Sequence, residues 1–437
     1  MSSILTNNGA MVALQTLKSI NRNLAETQSQ ISTGKSVANA KDNAAVWAIS
    51  KVMESDVQGF KGISDSLNLG ESTVAVARQA SETVADLLTQ MKGKIVAAQE
   101  ENVDRAKIQT DIAALRDQIT SVTNAAQFNG LNLLSNTEKE AGSGLVNVLS
   151  SLDRSSTGVT ASNIAVNKQD LGTGASAVSG TAITTAETAT ATNSRMTGTA
   201  LAATTLTGAA TAPTTSITIS SVEAGFGYSA ALTGGAGAFA TGWNVTGTAA
   251  DGIRYVARDG DTTADVAQGL ADSFNKYAEA FEAANPGVAG LDGVRATVSG
   301  TTITFTGSTE TGDNFGIQVS GYGAAGNTIG GGLEDVSGID VTTDAGVTSA
   351  LSSIESLIQT SIDSAAAFGS VQGRIETQAT FIQSLSDSLK SGIGTLVDAD
   401  MEEASARLQA LQVQQQLGVQ ALSIANQAPQ SLLSLFR

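Results

Sequence analysis

Residues 43–98 place an apolar side chain at steps of three and four residues almost without interruption: Val46, Ile49, Met53, Phe60, Ile63, Leu67, Val74, Ala77, Val84, Leu88, Met91, Ile95 and Ala98. Asp56, Gly70 and Ser81 take the remaining stripe positions. A 3.5-residue period sustained this long specifies one helix of roughly 80 Å, with a narrow apolar seam that other helices must cover. The fold depends on where the chain finds that cover.

Residues 104–126 are a first candidate, with Ile108, Ile112, Leu115, Ile119 and Val122 on one face, but they are too few for the whole seam. A match in length comes near the other end of the chain, where Val347, Leu351, Ile354, Ile358, Ala365, Phe368, Val371, Ile375, Ile382, Leu385 and Leu389 repeat. Successive three-residue steps through Ala365, Phe368 and Val371 predict a register break near Gly369 and Gly373. Phe60, Leu67 and Leu88 are then expected to meet Ile375, Ile382 and Leu389 in the bundle seam. The expected fold class is mainly α with a β-rich insertion: a long helical coiled-coil bundle built from both chain ends, plus an outer β-rich or mixed domain.

The two ends differ from the bundle. Residues 1–33 carry Ala10, Ala13, Leu17, Ile20, Leu24 and Ile31 at heptad spacing, among Asn and Gln rather than charges. Gly34 fits a helix stop, and Asp42 or Asn39 fits the cap of the long helix that follows. Between Arg407 and Arg437 there is no charge at all; eight Gln recur among Leu408, Leu411, Val413, Leu417, Val419, Leu422 and Ile424. A helix facing water carries charge, so this one is expected to be buried among others, with Gln amides hydrogen-bonding across the contacts. Pro429 is expected to end it. With too few partners inside one chain, both ends are expected to be largely disordered in the monomer and helical once packed against neighbours.

Phe128-Asn129-Gly130 reads as a turn into short strands that include Ile164 and Val166. From about 173 to 343 the composition shifts to Ala, Thr, Gly and Ser. The bland reading of residues 175–215 is low complexity with partial disorder; for the remainder a β-rich domain is expected. Ile217 and Ile219 alternate there, Val294, Ala296 and Val298 alternate, and Ser299-Gly300 is expected to close a hairpin onto Ile303 and Phe305. One helix interrupts the strands, capped by Thr262 with Asp265 and apolar at Val266, Leu270, Phe274 and Tyr277.

Composition removes whole classes of function. A net charge of -17 leaves no basic patch for nucleic acid or an anionic membrane surface. With neither cysteine nor histidine there is no disulfide framework, no Cys nucleophile, no Ser-His-Asp triad and no HExxH zinc site. No apolar run reaches membrane-spanning length, and Asn7, Asn8 and Gln15 break up any secretion signal, so export would need another route. Gly321-x-Gly323-x-x-Gly326 matches a dinucleotide fingerprint by letters, but the glycine-rich run after it cannot open the required helix. Asp259, Asp261 and Asp265 are too sparse for a calcium loop, and Asp398, Asp400, Glu402 and Glu403 fit a helix start. No enzyme and no cofactor is expected.

Ile31-Ser32-Thr33-Gly34, Asn39-Ala40-Lys41-Asp42-Asn43-Ala44-Ala45, Gln127-Phe128-Asn129-Gly130, Asp398-Ala399-Asp400, and Ala425-Asn426-Gln427-Ala428-Pro429-Gln430 with the ending Leu432 to Arg437 resemble bacterial flagellin. The resemblance covers a little over half the chain, at its two ends. It implies a secreted, extracellular structural subunit that polymerises into the flagellar filament for swimming; a flagellin-like hook-filament junction protein is the alternative. Residues 1–33 and 401–437 would form an inner tube, with Leu17, Leu24, Ile31, Leu408, Leu411 and Leu422 as subunit-packing residues. Residues 34–172 and 344–400 would form an outer tube, and 173–343 a variable surface domain. Implied partners are further flagellin copies, other flagellin types included, the export apparatus with its chaperone, and the cap and hook-associated proteins. Recognition by host immune receptors is expected to be weak, because Gln90-Met91-Lys92-Gly93-Lys94 and the stretch with Asn43 and Val46-Trp47 depart from the recognised patterns.

Overall fold

The computed structural model describes residues 7–155, 158–183, 195–246, 248, 252–291 and 293–435. They divide into two compact units: Met1–Asp65 with Ser151–Ala161 and Ala379–Arg437, and Ser66–Ser150 with Ser162–Gln378. The chain is mainly helical at both ends, with a β-rich centre.

The first unit holds α1 (Asn8–Thr33), α6 (Met401–Leu435), the start of α2 (Ala44–Ala97) and the end of α5 (Asp344–Val397). Gly34 ends α1 in the left-handed region, φ 68° and ψ 11°, and its N–H returns to Gln30 O. The segments that follow α1 and precede α6 are clipped together: Ala399 N–H donates to Gly34 O at 3.0 Å, and Ser36 N–H to Val397 O at 2.7 Å. The cap of α2 is neither Asp42 nor Asn39. Asn43 takes the Val46 N–H at 3.2 Å, while Asp42 is spent closing its own loop on the amides of Ala38 and Asn39. Asp400 caps α6, accepting from the amides of Glu402 and Glu403, with both acids in the first turn where the helix dipole favours them. Pro429 does not end α6, which continues to Leu435.

The α2 stripe is fully buried from Ile63 to Ala98, Gly70 and Ser81 included. Towards its N-terminal end the cover thins: Val46, Met53, Asp56 and Phe60 are half-buried, and Ile49 is 54% exposed. In the second unit α3 (Arg105–Ala125) folds back on α2, where Lys94 meets Asp111 at 2.5 Å and Arg105 Nε donates to Ala98 O. The same unit's part of α5 runs antiparallel to α2, as Arg78 Nε to Gln372 Oε1 at 2.9 Å and the Lys92–Glu355 ion pair fix. Gly70 is required by a strand: a Cβ there would lie 2.6 Å from Val148 of β3 (Leu145–Ser155), which pairs with β4 (Gly158–Asn167).

The expected register break in α5 is replaced by an unbroken stripe. Val347, Ala350, Ile354, Leu357, Ser361, Ser364 and Phe368 are all buried at strict steps of three and four, continuing to Ile375 and Ile382. Tracking apolar letters alone picks Ile358 and Ala365, because two seam positions are serines; Ser364 Oγ satisfies itself on Thr360 O of its own helix.

Two hairpins turn on glycine. Asn129 (φ 51°) and Gly130 (φ 82°) join β1 (Gln127–Phe128) to β2 (Leu131–Asn132), a two-residue loop with both positions left-handed. In the centre, β10 (Arg295–Ser299) and β11 (Thr302–Thr306) pair Ser299 with Thr302, so the loop is Gly300-Thr301, one residue later than Ser299-Gly300. Gly300 (φ 62°) must take the first loop position, where a side chain would be strained.

The central domain has two antiparallel sheets. One is ordered β10-β11-β7-β5, with β5 Met196–Gly198 and β7 Thr214–Ile219; the other is β6-β12-β8-β9, with β6 Thr204–Thr207, β8 Gly227–Ala236, β9 Ile253–Val256 and β12 Asn314–Tyr322. Helix α4 (Thr263–Ala284) starts with the expected Thr262–Asp265 capping box and buries Val266, Leu270 and Phe274. Trp243 centres the core, its ring 5.0 Å from Phe239, 5.2 Å from Phe315 and 4.9 Å from Phe281. Part of the low-complexity stretch, 184–194, lies outside the described residues.

The domain is tethered by a neck of two antiparallel segments. Leu333 N–H donates to Gly172 O at 2.9 Å, Gly331 N–H to Gly174 O at 2.8 Å, and Ala177 and Thr328 exchange both bonds. A Cβ on Gly331 would lie 1.8 Å from Gly172 O, so only glycine fits there. Beyond the neck the chain is already back against α3: Gln109 bonds both Ile339 O and Val341 N–H at 2.9 Å, and Val336 and Val341 are fully buried.

Candidate assembly surface

The aspartates around the start of α4 are engaged within the protein. Asp259 accepts from Gly144 N–H, Asp261 from Tyr255 Oη and Arg258 N–H, and Asp265 completes the cap of α4, so each carboxylate is engaged by protein donors. Among the described residues no group of three or more His, Cys, Asp or Glu is placed to hold a metal ion. The segment after Gly321, Gly323 and Gly326 leads to a short 3-10 turn at Glu334–Gly338, not to a helix that could seat a pyrophosphate. Among the described residues no helix is long and apolar enough to cross a membrane.

The surface that stands out belongs to the two terminal helices, which the structure pairs with each other within one chain. They run antiparallel: Asn7 Nδ2 donates to Ala425 O, Gln415 Nε2 to Asn21 Oδ1 at 2.8 Å, and a Cβ on Gly418 would come within 3.3 Å of Leu17 and 3.7 Å of Ile20. Leu17, Leu24 and Ile31 are half-buried positions of one stripe, with Thr27 fully buried between them. Leu408 and Leu422 are half-buried and Leu411 buried on the other, which continues through Ala404, Gln415, Gly418 and Ala425 in regular heptad steps. These six residues thus lie on the stripes through which the two helices pair inside a chain. Apolar spacing located the leucines; Thr27, Gln415 and Gly418 escaped because they are small or polar.

A second set of apolar residues remains uncovered. Met11, Val12 and Leu14 on α1 and Val413, Leu417, Val419 and Ile424 on α6 are exposed, Ile424 at 69%. Two helices can shield only one face of each other, and few charges keep the uncovered apolar faces in water: α1 carries Lys18, Arg22 and Glu26, and α6 carries Glu402, Glu403 and Arg407 near its start and none beyond. At the start of the bundle, Ile49, Val52 and Phe381 are exposed as well. Beside them Lys51 holds the Glu54 carboxyl below the usual range through a 2.6 Å hydrogen bond.

The bundle-seam positions separate in the same way. Leu67, Leu88, Ile375 and Ile382 are fully buried, whereas Phe60 and Leu389 are only half-buried.

The sequence matches two family descriptions: "Bacterial flagellin N-terminal helical region" over residues 4–139 and "Bacterial flagellin C-terminal helical region" over residues 351–436. It is 35% identical to Flagellin A of Rhizobium meliloti over 437 residues and 34% identical to Flagellin B of the same organism over 440, each covering all of both chains. Flagellin FljM of Caulobacter vibrioides is 27% identical over 440 residues, covering all of this chain and 99% of that one. A crystal structure of Xanthomonas campestris FlgL overlays at a TM-score of 0.30 and 14% identity, covering 78% of this chain and 97% of that one, and at that level it supports nothing further. Full-length similarity at both helical ends and through the centre places this chain in the bacterial flagellin family.

Proposed function

We propose that this chain polymerises into the flagellar filament through the apolar faces that α1 and α6 leave uncovered. One observation carries the reading: seven large apolar side chains are exposed on the two helices, four of them on the part of α6 beyond Arg407 that carries no charge, in a chain whose net charge is -17. Copies of an acidic protein pack closely most readily where unpaired carboxylates are sparse, since like charges at short range and low dielectric repel strongly. The terminal pair supplies such a surface; in this reading residues 34–172 and 344–400 are proposed to form the outer tube of the filament and 173–343 a variable surface domain. The extracellular filament requires export, and the export apparatus with its chaperone, the filament cap and the hook-associated proteins are the expected partners.

Ile424→Asp tests this reading, since it places a carboxylate on an exposed position and leaves the α1–α6 stripe intact. The monomer should keep its circular dichroism while polymer yield in a sedimentation assay collapses. Normal polymer yield would remove this face from the assembly contact.

A further inference from the structure

We infer that Asn275 guards the edge strand β10 against pairing with the same strand of a second copy of this chain. β10 is the outermost strand of its sheet, bonded to β11 on one side only. Its other edge is closed by α4. The Asn275 amide meets one residue of the strand twice: its Nδ2 donates to Ala296 O at 3.0 Å, and its Oδ1 accepts the Ala296 N–H at 2.6 Å. Two bonds exchanged with a single residue is the pattern of a hydrogen-bonded pair in an antiparallel ladder, so one side chain stands in for a neighbouring strand. Just before β10, Val294 N–H donates to Leu291 O at 3.0 Å, and Val294 O accepts from Arg295 Nη1 at 2.7 Å. Arg295 Nη2 in turn donates to Glu282 of α4. The same helix reaches the edge of the second sheet, where Ser273 Oγ accepts the Arg254 N–H of β9 at 3.0 Å.

β10 itself carries none of the usual edge protections. Arg295 is its one charged residue, Ala296, Thr297, Val298 and Ser299 include no proline, and its pairing with β11 runs without a bulge. A regular edge with little charge recruits further strands. The partner that fits is β10 of a second copy. Backbone groups alternate along a strand, so Ala296 and Val298 present theirs on the edge away from β11, and two antiparallel copies can exchange bonds between Ala296 of one and Val298 of the other. Thr297 then faces Thr297 and Arg295 faces Ser299, so no like charges meet. Asparagine is a poor residue for a helix interior because its side chain competes for backbone groups, and in α4 that tendency is directed at β10. All of these residues lie in the central domain, apart from the helices α1 and α6 through which assembly is proposed.

The chain has no native cysteine, so a single introduced thiol can report the pairing. Thr297 is exposed and would sit opposite its own copy at a non-hydrogen-bonded position, where Cα atoms approach to about 4.5 Å and a disulfide can form. Thr304 lies beside Thr297 on β11. Two copies of Thr304 would stand three strand spacings, roughly 14 Å, apart, beyond disulfide reach. In full-length protein at equal, dilute concentration, mild oxidation of Thr297→Cys should leave monomer. Adding Asn275→Ala should make covalent dimer the main product, while Thr304→Cys with Asn275→Ala should stay monomeric. Denaturant unfolding followed by Trp243 fluorescence in a Trp47→Phe background reports whether the domain is folded. If Asn275→Ala loses that transition, Asn275→Ser, whose shorter side chain cannot span both backbone groups, takes its place in the same comparison.

Monomer after oxidation of a folded Asn275 variant with Thr297→Cys would overturn the inference. So would a dimer that forms equally with Asn275 intact or through Thr304→Cys. None of these outcomes bears on the sedimentation result for Ile424→Asp.

Discussion

Arg258 and Asp170 meet at the neck of the central domain, with Nε 3.5 Å from Oδ2 and the Asp170 side chain only 2% exposed. The guanidinium also donates to Gly330 O at 3.0 Å and to Tyr255 Oη at 3.2 Å. One side chain thereby ties both strands of the neck to the strand β9 region. Removing either partner leaves a buried charge uncompensated, which typically costs about 3 kcal/mol or more. Arg258→Met and Asp170→Asn should each lower the stability of the central domain by that order, and the double variant by less than the sum. The two tryptophans separate the readouts: Trp243 lies in the β core and Trp47 on α2, so denaturant unfolding followed in Trp47→Phe and Trp243→Phe backgrounds should show the loss at Trp243 alone.

Acid should favour the same region through Asp261. Burial raises its carboxyl pKa above the ordinary value, against the hydrogen bonds from Arg258 N–H and Tyr255 Oη and the Arg258 charge. A group whose folded pKa is raised binds its proton more tightly when folded, so its contribution is full below the unfolded value of about 3.9 and is lost as pH rises through the folded value. Wild type minus Asp261→Asn stability, read from Trp243 unfolding, should therefore fall from pH 4 towards neutrality. A difference that rises over that range would contradict the assignment.

Gly70→Ala should displace the β3–β4 hairpin. The new methyl would sit 2.6 Å from Val148 Cγ1, a contact that neither the helix nor the strand can relieve without moving. Overpacking of this kind costs roughly 1–3 kcal/mol. Thermal unfolding of Gly70→Ala measures it, and Val148→Ala in the same chain should recover part of the loss.

Leu422→Asp should behave unlike Ile424→Asp. Leu422 is half-buried on the stripe against α1, so a carboxylate there, with no basic residue between Arg407 and Arg437, weakens the pair itself as well as the polymer. Helicity of the monomer should fall for Leu422→Asp and hold for Ile424→Asp. Equal helicity in both would mean that the pair is not formed in the free chain, in accord with the expectation that the isolated ends are disordered.

Removing the central domain should leave assembly intact if the cut respects the neck. Ala177 and Thr328 exchange backbone hydrogen bonds, so a short Gly-Ser turn can join them in place of residues 178–327. The shortened chain should polymerise into a thinner filament. Cutting at 176–340 removes Ile339, which is buried, and breaks its bond to Gln109, and should cost stability in addition.

Local chemistry made much of the fold legible. The helix at Ala44–Ala97, the stop at Gly34, the Asn129-Gly130 turn and the Thr262–Asp265 capping box each follow from residues within one turn of one another. The leucines of the terminal stripes were equally visible, because a 3.5-residue period survives without knowledge of the partner. Tertiary structure decided the rest. It chose Asn43 over Asp42 as a cap, filled the α5 seam with Ser361 and Ser364, and let α6 run through Pro429 to Leu435. It also paired α1 with α6, leaving Ile424 rather than Leu422 at the surface. A period shows that a helix has an apolar face, but which surface that face meets, and which polar atoms are left to be satisfied there, depends on contacts between segments that the sequence keeps far apart.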